Sequence, residues 1–302
     1  MTVHNFTSME DLTVQEIGKL LEAAKRFKQG EKGHVGGSGF IANVFYEPST
    51  RTKLSFEAAE KRLGLSPLNV DADHSSVQKG ESLYDTVRTL QAIGAEAAVI
   101  RHSTTAFYES LQGIGIPIIN AGDGSGQHPS QSILDLFTIQ ESFGRFHGLN
   151  VTIVGDIVHS RVAASNMIAL QKLGANVMTA GPKAWSNEKA HHCRHITMEE
   201  AIQTSDVVML LRVQHERHEE RTAMNDYHEQ YGLTEKREKQ MKKNSIIMHP
   251  GPFNRGVEIA SSVVECQRSR IFQQVENGVY CRMAILQEIL QKKNIHALEG
   301  VV

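Results

Sequence analysis

Phe40 to Leu63 reads FIANVFYEPSTRTKLSFEAAEKRL. Phe40–Tyr46 is a short apolar run with strand character, and Thr52–Leu63 has helical spacing. Ser49-Thr50-Arg51-Thr52 sits between them, so three hydroxyls and one guanidinium fall at a strand-to-helix turn. The unpaired N–H groups of a helix start favour an anion. Ser and Thr add donors, and Arg adds a planar fork that matches phosphate or carboxylate oxygens. One reading is an oxyanion or phosphate cradle. The other is a Ser/Thr N-cap with an incidental Arg.

Outward from this stretch, strands and helices alternate. Thr13-Val14-Gln15-Glu16 is a capping box that opens a helix through Phe27. Gly30 to Gly39 is a Gly-rich loop. Strands are expected at Leu68–Val70, Ala97–Ile100 and Ile116–Ile119, and helices at Leu83–Ile93, Phe107–Gln112 and Ser130–Phe143. The pattern restarts after Gly144 to Gly148. Val151–Val154 leads through Gly155-Asp156 into a helix that Gly174 closes, and Asn176–Thr179, Val207–Leu211 and Ser245–Met248 supply further strands. Such alternation implies an α/β protein of two similar-sized domains, each a mostly parallel sheet flanked by helices. The boundary is expected near Gly148, giving domains 1–147 and 148–281. A final helix at Arg282 to Gln291 carries Ala284, Ile285, Ile289 and Leu290 at helical spacing, and 282–302 is expected to pack back onto the first half.

The 302 residues suffice for two buried cores. A net charge of -2 offers no global attraction to nucleic acid or to a membrane surface. Cys193, Cys266 and Cys281 are widely spaced and odd in number, and no disulfide framework or Cys-x-x-Cys metal motif appears. Met1 to Glu10 lacks a basic-then-apolar signal pattern, and no apolar run approaches the ~20 residues of a membrane span. A cytoplasmic protein is expected.

Polar groups cluster where strands end, which is where parallel sheets bind ligands. The loop Ser75 to Ser82 presents Lys79 beside Gly80, either as a lid that delivers a cation or as an ordinary solvated loop. Arg101-His102 follows Ala97–Ile100. Asn120 to Gln131 holds three glycines, then His128, then Pro129 suited to a first helical turn. His128 and Gln131 lie three apart, so one turn presents both as donors to a polarised carbonyl oxygen. In the second half, Gly155 to Arg161 is similar to a nucleotide loop but lacks Gly-x-Gly-x-x-Gly and any Walker Gly-Lys-Ser/Thr. Arg212-Val213-Gln214 follows Val207–Leu211. Arg161 and Arg212 could each hold one carboxylate, which suggests a dicarboxylate partner; each alone also reads as a structural or surface Arg. His249-Pro250-Gly251-Pro252 forms a rigid turn whose carbonyls could accept from an NH₂ group. His191-His192-Cys193-Arg194-His195 has metal-ligand residue types but no carboxylate partner, and clustered surface His is the plainer reading. His215 to Lys243, dense in both charge signs, reads as a solvated face.

In this order, Ser49-Thr50-Arg51-Thr52, Lys79-Gly80-Glu81, Arg101-His102, His128-Pro129-Ser130-Gln131, Arg161, Arg212-Val213-Gln214 and His249-Pro250-Gly251-Pro252 closely resemble the catalytic chains of the aspartate carbamoyltransferase family. The resemblance runs from about Phe6 to Leu290. Ser-Thr-Arg-Thr with a later His-Pro-x-Gln marks carbamoyltransferases as a class. Arg212-Val213-Gln214 separates the chain from the ornithine enzymes, whose Ser-Met-Gly and His-Cys-Leu-Pro segments it lacks. Gly251-Pro252-Phe253-Asn254 departs from the Leu-Pro-Arg of many members, a change that backbone contacts survive. Glu216–Lys243 also departs from the regulated members.

The resemblance implies condensation of carbamoyl phosphate with L-aspartate to N-carbamoyl-L-aspartate and phosphate, an early step of pyrimidine biosynthesis, in a cleft between the domains. It assigns the phosphate cradle to Ser49, Thr50, Arg51 and Thr52, and donors to the carbamoyl oxygen to Thr52, Arg101 and His128. Gln131 and the carbonyls of Gly251 and Pro252 hold the carbamoyl NH₂. Arg161 clamps the α-carboxylate of aspartate, and Arg212 and Gln214 recognise its side-chain carboxylate. Ser75 and Lys79 reach a neighbouring subunit's site, which implies a homotrimer with shared sites. No metal or cofactor is implied, and the sequence says nothing for or against a regulatory chain. Two alternatives stay open: a carbamoyltransferase with another amine acceptor, and a non-enzymatic phosphate sensor.

Overall fold

A computed structural model describes residues 5–33, 35, 39–71, 80–186, 192–213 and 226–299. The chain divides into two compact units, Met1–Leu134 with Val275–Val302, and Asp135–Gln274.

In the first unit α1 (Val14–Lys28) opens on the expected capping box. Thr13 accepts from the Glu16 N–H, and Glu16 accepts from the Thr13 N–H. Its apolar stripe, Ile17, Leu20, Leu21, Ala24 and Phe27, is buried. The described residues of this unit form a four-stranded parallel sheet of β1 (Phe40–Phe45), β2 (Ser66–Asp71), β3 (Ala95–His102) and β4 (Ile118–Asp123), in the order β2-β1-β3-β4. The crossovers are α2 (Thr50–Arg62), α3 (Leu83–Ile93) and a 3₁₀ turn at Phe107–Leu111. Alternation along β1 sets the two faces. Ala42 and Val44 join Val87, Leu90, Ile100 and Phe107 in one core, while Asn43 bonds Glu60 of α2. Phe6 pairs along the β4 edge through Phe6 N–H to Ile118 O and Asn120 N–H to Phe6 O, both 2.9 Å, and so covers that edge.

α4 (Pro129–Phe143) leads into the second unit. Its described residues form a five-stranded parallel sheet of β5 (Asn150–Val154), β6 (Asn176–Ala180), β7 (Arg194–His195), β8 (Val207–Leu210) and β9 (Ile246–Met248), in the order β7-β6-β5-β8-β9. The helices are α5 (Arg161–Lys172), α6 (Met198–Thr204), α7 (Tyr227–Gln230) and α8 (Glu235–Gln240). Val154, Ala180, Ile202, Val208, Leu210 and Ile247 anchor the core.

α9 (Ile271–Glu299) begins well before the expected Arg282. The polar run Gln273 to Gly278 hid its first turns, since Asn and Gly are weak helix formers. Here both have partners. Asn277 is buried and accepts from Lys28 at 2.7 Å, and a Cβ on Gly278 would collide with Arg282 and crowd Leu134. Among the described residues no helix is long and apolar enough to cross a membrane.

Candidate active site

Each sheet has one place where successive connections leave in opposite directions. In the order β2-β1-β3-β4 it lies between β1 and β3, and in β7-β6-β5-β8-β9 between β5 and β8. Ligands of open parallel sheets bind beyond the carboxyl ends of the strands at such switch points. The Ser49–Thr52 turn follows β1 and Arg101 ends β3. Arg161 opens the helix after β5, and Arg212 follows β8. The four arginine-bearing segments therefore occupy both switch points.

At the first, Ser49 is the N-cap of α2, yet its side chain makes no capping bond, and the first turn carries no acid. A helix start without a side-chain cap, carrying an Arg and no acid in its first turn, is a setting that suits an anion. The Ser49 hydroxyl is therefore not used as a side-chain cap. Ser49 Oγ accepts instead from Arg101 Nη1 at 3.4 Å. Arg101 Nε donates to Glu47 Oε2 at 3.1 Å, with the two side chains 17% and 22% exposed. Glu47 was not among the site residues expected from sequence. Its signal was position alone, an acid two residues before the cradle. Thr52 is buried in the first turn of α2.

His102, next in line, plays a different part. It packs edge-on to Tyr46 with ring centres 4.8 Å apart and tilts against Phe107. Its Nδ1 accepts from Thr104 N–H at 3.0 Å. Burial pushes its pKa down from the ordinary histidine value, and nearby Glu47 opposes that shift.

The loop after β4 is built by its own polar side chains. Asp123 Oδ1 accepts from Gln127 N–H at 2.5 Å and its Oδ2 from Ala106 N–H at 2.6 Å. Gln127 Oε1 accepts from Met9 N–H at 2.8 Å, and Asn120 donates to Thr7 O at 2.9 Å. Gly124 is at φ +42°, and a Cβ there would strike Ser103 O and Thr105. This frame carries His128 and Gln131, both buried, to the start of α4. Gln131 N–H donates to His128 O at 3.0 Å, so one turn presents both side chains. Asp123 and Gln127 support these residues and were not singled out from sequence, because loop polarity alone did not distinguish them.

In the second unit Ser160 caps α5 in the ordinary way, accepting from Ala163 N–H at 3.1 Å. Arg161 and Arg212 are half-buried. The fully buried Asp156 bonds His159 Nδ1 at 3.0 Å. His249 is also buried. Its N–H donates to Gln274 at 2.9 Å, its Nδ1 accepts from Gly251 N–H at 2.8 Å, and its Nε2 lies 3.4 Å from Glu258. Glu258 in turn accepts from the backbone of Asn254, whose Nδ2 donates to Val213 O at 3.4 Å. The Gly251–Pro252 turn and the Arg212 segment are thereby tied to one buried carboxyl. The Gly251–Pro252 peptide bond is cis. Ser75, Lys79 and Gln214 lie outside the described residues.

Among the described residues of the His191–His195 cluster, the side chains do not gather as ligands. Arg194 and His195 form β7, His195 Nδ1 pairs with Thr179 Oγ1 at 3.2 Å, and Cys193 is buried with its thiol pushed up to about 11 by desolvation. His191 lies outside the described residues. Among the described residues no group of three or more His, Cys, Asp or Glu is placed to hold a metal. The segment read as a solvated charged face also contains core. Tyr227 is buried, stacks on Trp185 at 5.5 Å, and its hydroxyl pKa is raised by burial and then by Glu258 and Asp156.

Two family descriptions match the chain in succession. "Aspartate/ornithine carbamoyltransferase, carbamoyl-P binding domain" covers residues 4–141, and "Aspartate/ornithine carbamoyltransferase, Asp/Orn binding domain" covers residues 147–289. The catalytic subunit of M. jannaschii aspartate transcarbamoylase is 33% identical, covering 95% of this chain and 98% of that one, with a TM-score of 0.83. The chain belongs to the aspartate/ornithine carbamoyltransferase family. Trypanosoma cruzi aspartate transcarbamoylase is similar in two complexes. With carbamoyl phosphate it gives a TM-score of 0.85, and with N-(phosphonacetyl)-L-aspartic acid 0.84, each at 30% identity over 94% of both chains. The protein is thus a carbamoyltransferase with a carbamoyl-phosphate-binding half. Membership in a transferase family sets the sensor reading aside.

Proposed function

We propose that the acceptor is L-aspartate and the product N-carbamoyl-L-aspartate, the reaction of early pyrimidine biosynthesis. The observation that carries this is the pair Arg161 and Arg212 at the β5/β8 switch point. Two guanidiniums suit the two carboxylates of aspartate. Ornithine would bring a second ammonium towards them, and like charges repel. The aspartate transcarbamoylases among the similar structures support the same acceptor.

In this reading Ser49, Thr50, Arg51 and Thr52 bind the phosphate. Thr52, Arg101 and His128 donate to the carbamoyl oxygen, and Gln131 with the carbonyls of Gly251 and Pro252 holds the carbamoyl NH₂. Arg161 takes the α-carboxylate of aspartate, and Arg212 with Gln214 takes the side-chain carboxylate. The deprotonated α-amine attacks the carbonyl carbon, and negative charge gathers on the oxygen of a tetrahedral intermediate. Collapse breaks the carbon–oxygen bond to phosphate, and phosphate leaves with the amine proton. Catalysis is then positioning plus preorganised donors. Ser75 and Lys79 complete a neighbouring subunit's site in a homotrimer.

The test is carbamoyl transfer by the purified protein in a chelating buffer, with aspartate and ornithine as parallel acceptors. Turnover with aspartate alone is expected; turnover with ornithine alone would overturn the acceptor. Mixing inactive Lys79→Ala and Arg101→Ala proteins should restore part of the activity through hybrid sites. No recovery after proven subunit exchange would remove the shared site.

A further inference from the structure

Asn43 on β1 and Glu60 on α2 meet inside the first unit, and both side chains are fully buried. One contact joins them: Asn43 Nδ2 donates to Glu60 Oε2 at 2.9 Å. The two remaining oxygens, Asn43 Oδ1 and Glu60 Oε1, are buried and meet no donor. Native folds satisfy nearly all such atoms, because an unmet one bears its full desolvation cost. Two orphan acceptors in one pair have a common remedy. A single proton on Glu60 Oε1 makes that oxygen a donor for Asn43 Oδ1, since a carboxylic acid offers one O–H beside one accepting oxygen. Acid and primary amide then close a ring of two hydrogen bonds.

We propose that Glu60 is kept as a neutral carboxylic acid in a cyclic pair with Asn43, and that this pair positions the phosphate cradle by pinning α2 to β1. The positioning half rests on the cradle described under Proposed function; the protonation half does not. Both elements lead directly to the cradle, since β1 ends just before it and α2 begins with it.

Among the described residues the surroundings supply no strong counter-ion. On α2, Glu57 adds negative charge and is itself held by Lys61 at 2.8 Å and by Asn69 of β2. In register with Asn43 stand Asn69 on β2 and Val99 on β3, both neutral. From α9, the guanidinium of Arg282 lies 5.0 Å over the Phe56 ring and donates to Gly278 O. Desolvation dominates and pushes the Glu60 carboxyl up to about 7; the Asn43 bond opposes it, Glu57 reinforces it, and Lys61 opposes it. The proton is therefore retained below neutrality and lost above it.

Glu60→Gln keeps the shape and replaces the acid by an amide that can make both bonds at any pH. Melting temperatures of the two assembled proteins, followed from about pH 5 to about pH 8.5, test the pair. The native state retains a proton that the unfolded chain sheds above the ordinary carboxyl value of about 4.5, so wild-type stability falls as pH rises from there through about 7. The variant lacks that fall and should gain on wild type by about 2–4 °C. Parallel curves would overturn the pair. Infrared spectra of wild-type protein carrying ¹³C-glutamate need no variant. A buried protonated-acid carbonyl band is expected near about pH 6, fading above neutrality, and its absence overturns the proposal. Binding of inorganic phosphate tests the positioning half. The wild-type Kd divided by the variant Kd should rise several-fold from about pH 6 to about pH 8. A flat ratio with the acid band present would overturn positioning alone. Failure of both proteins to bind phosphate would overturn positioning together with the cradle, while the band still decides the pair.

Discussion

α2 and α5 start alike and are finished differently. Each follows the strand at its sheet's switch point, each has a Ser at the N-cap, and each carries an Arg in its first turn. Ser160 closes its helix by accepting from Ala163 N–H. Ser49 leaves its helix uncapped and faces Arg101. A closed helix start offers one guanidinium, which suits one carboxylate. An open start adds a row of backbone donors, which suits a phosphate. The same residue in the same place thus gives a capped or an uncapped helix start, depending on what its hydroxyl bonds.

The largest effect expected from this contrast is on turnover. Arg101→Ala should lower kcat on the order of 100-fold, because in the proposed reaction it removes a donor to charge that grows only in the transition state. A near-normal kcat would confine Arg101 to binding. Next comes Arg161→Ala, which acts on the acceptor. It should raise KM for aspartate by roughly 10–100-fold, about the worth of a charged hydrogen bond. Inorganic phosphate should bind it as it binds wild type. Weakened phosphate binding there would erase the division of labour between the two helix starts. The smallest and sharpest effect separates the two serines. Ser160→Ala should cost about 1 kcal/mol of stability with phosphate affinity intact. Ser49→Ala should melt like wild type and bind phosphate several-fold more weakly. Denaturant melts and calorimetric titration read both, and equal stability losses would mean Ser49 caps after all.

Much of the architecture was legible because its signals are local. The Thr13–Glu16 box, the apolar runs and the Gly174 stop each act within a few residues, and the elements lie where these place them. The first half of α9 was not legible, because Asn277 and Gly278 look like breakers until Lys28 and Leu134 are seen beside them. β7 is two residues long, too short to show a period. Among the site residues, the sequence could place Ser49 at a helix start but not say which partner its hydroxyl takes. Glu47, Asp123 and Gln127 were invisible for a related reason: each acts through a contact with another loop or strand. The same holds for Tyr227, whose charged neighbours in sequence hide a ring stacked on Trp185.

The chain's opening residues have a reach that their position conceals. Phe6 lies along β4, Thr7 receives Asn120, and Met9 grips Gln127 in the loop that delivers His128. A nick near Asp11 would thus act as a remote brake on chemistry more than a hundred positions downstream. Proteolysis at that point would register first as lost turnover, with most of the molecule still folded.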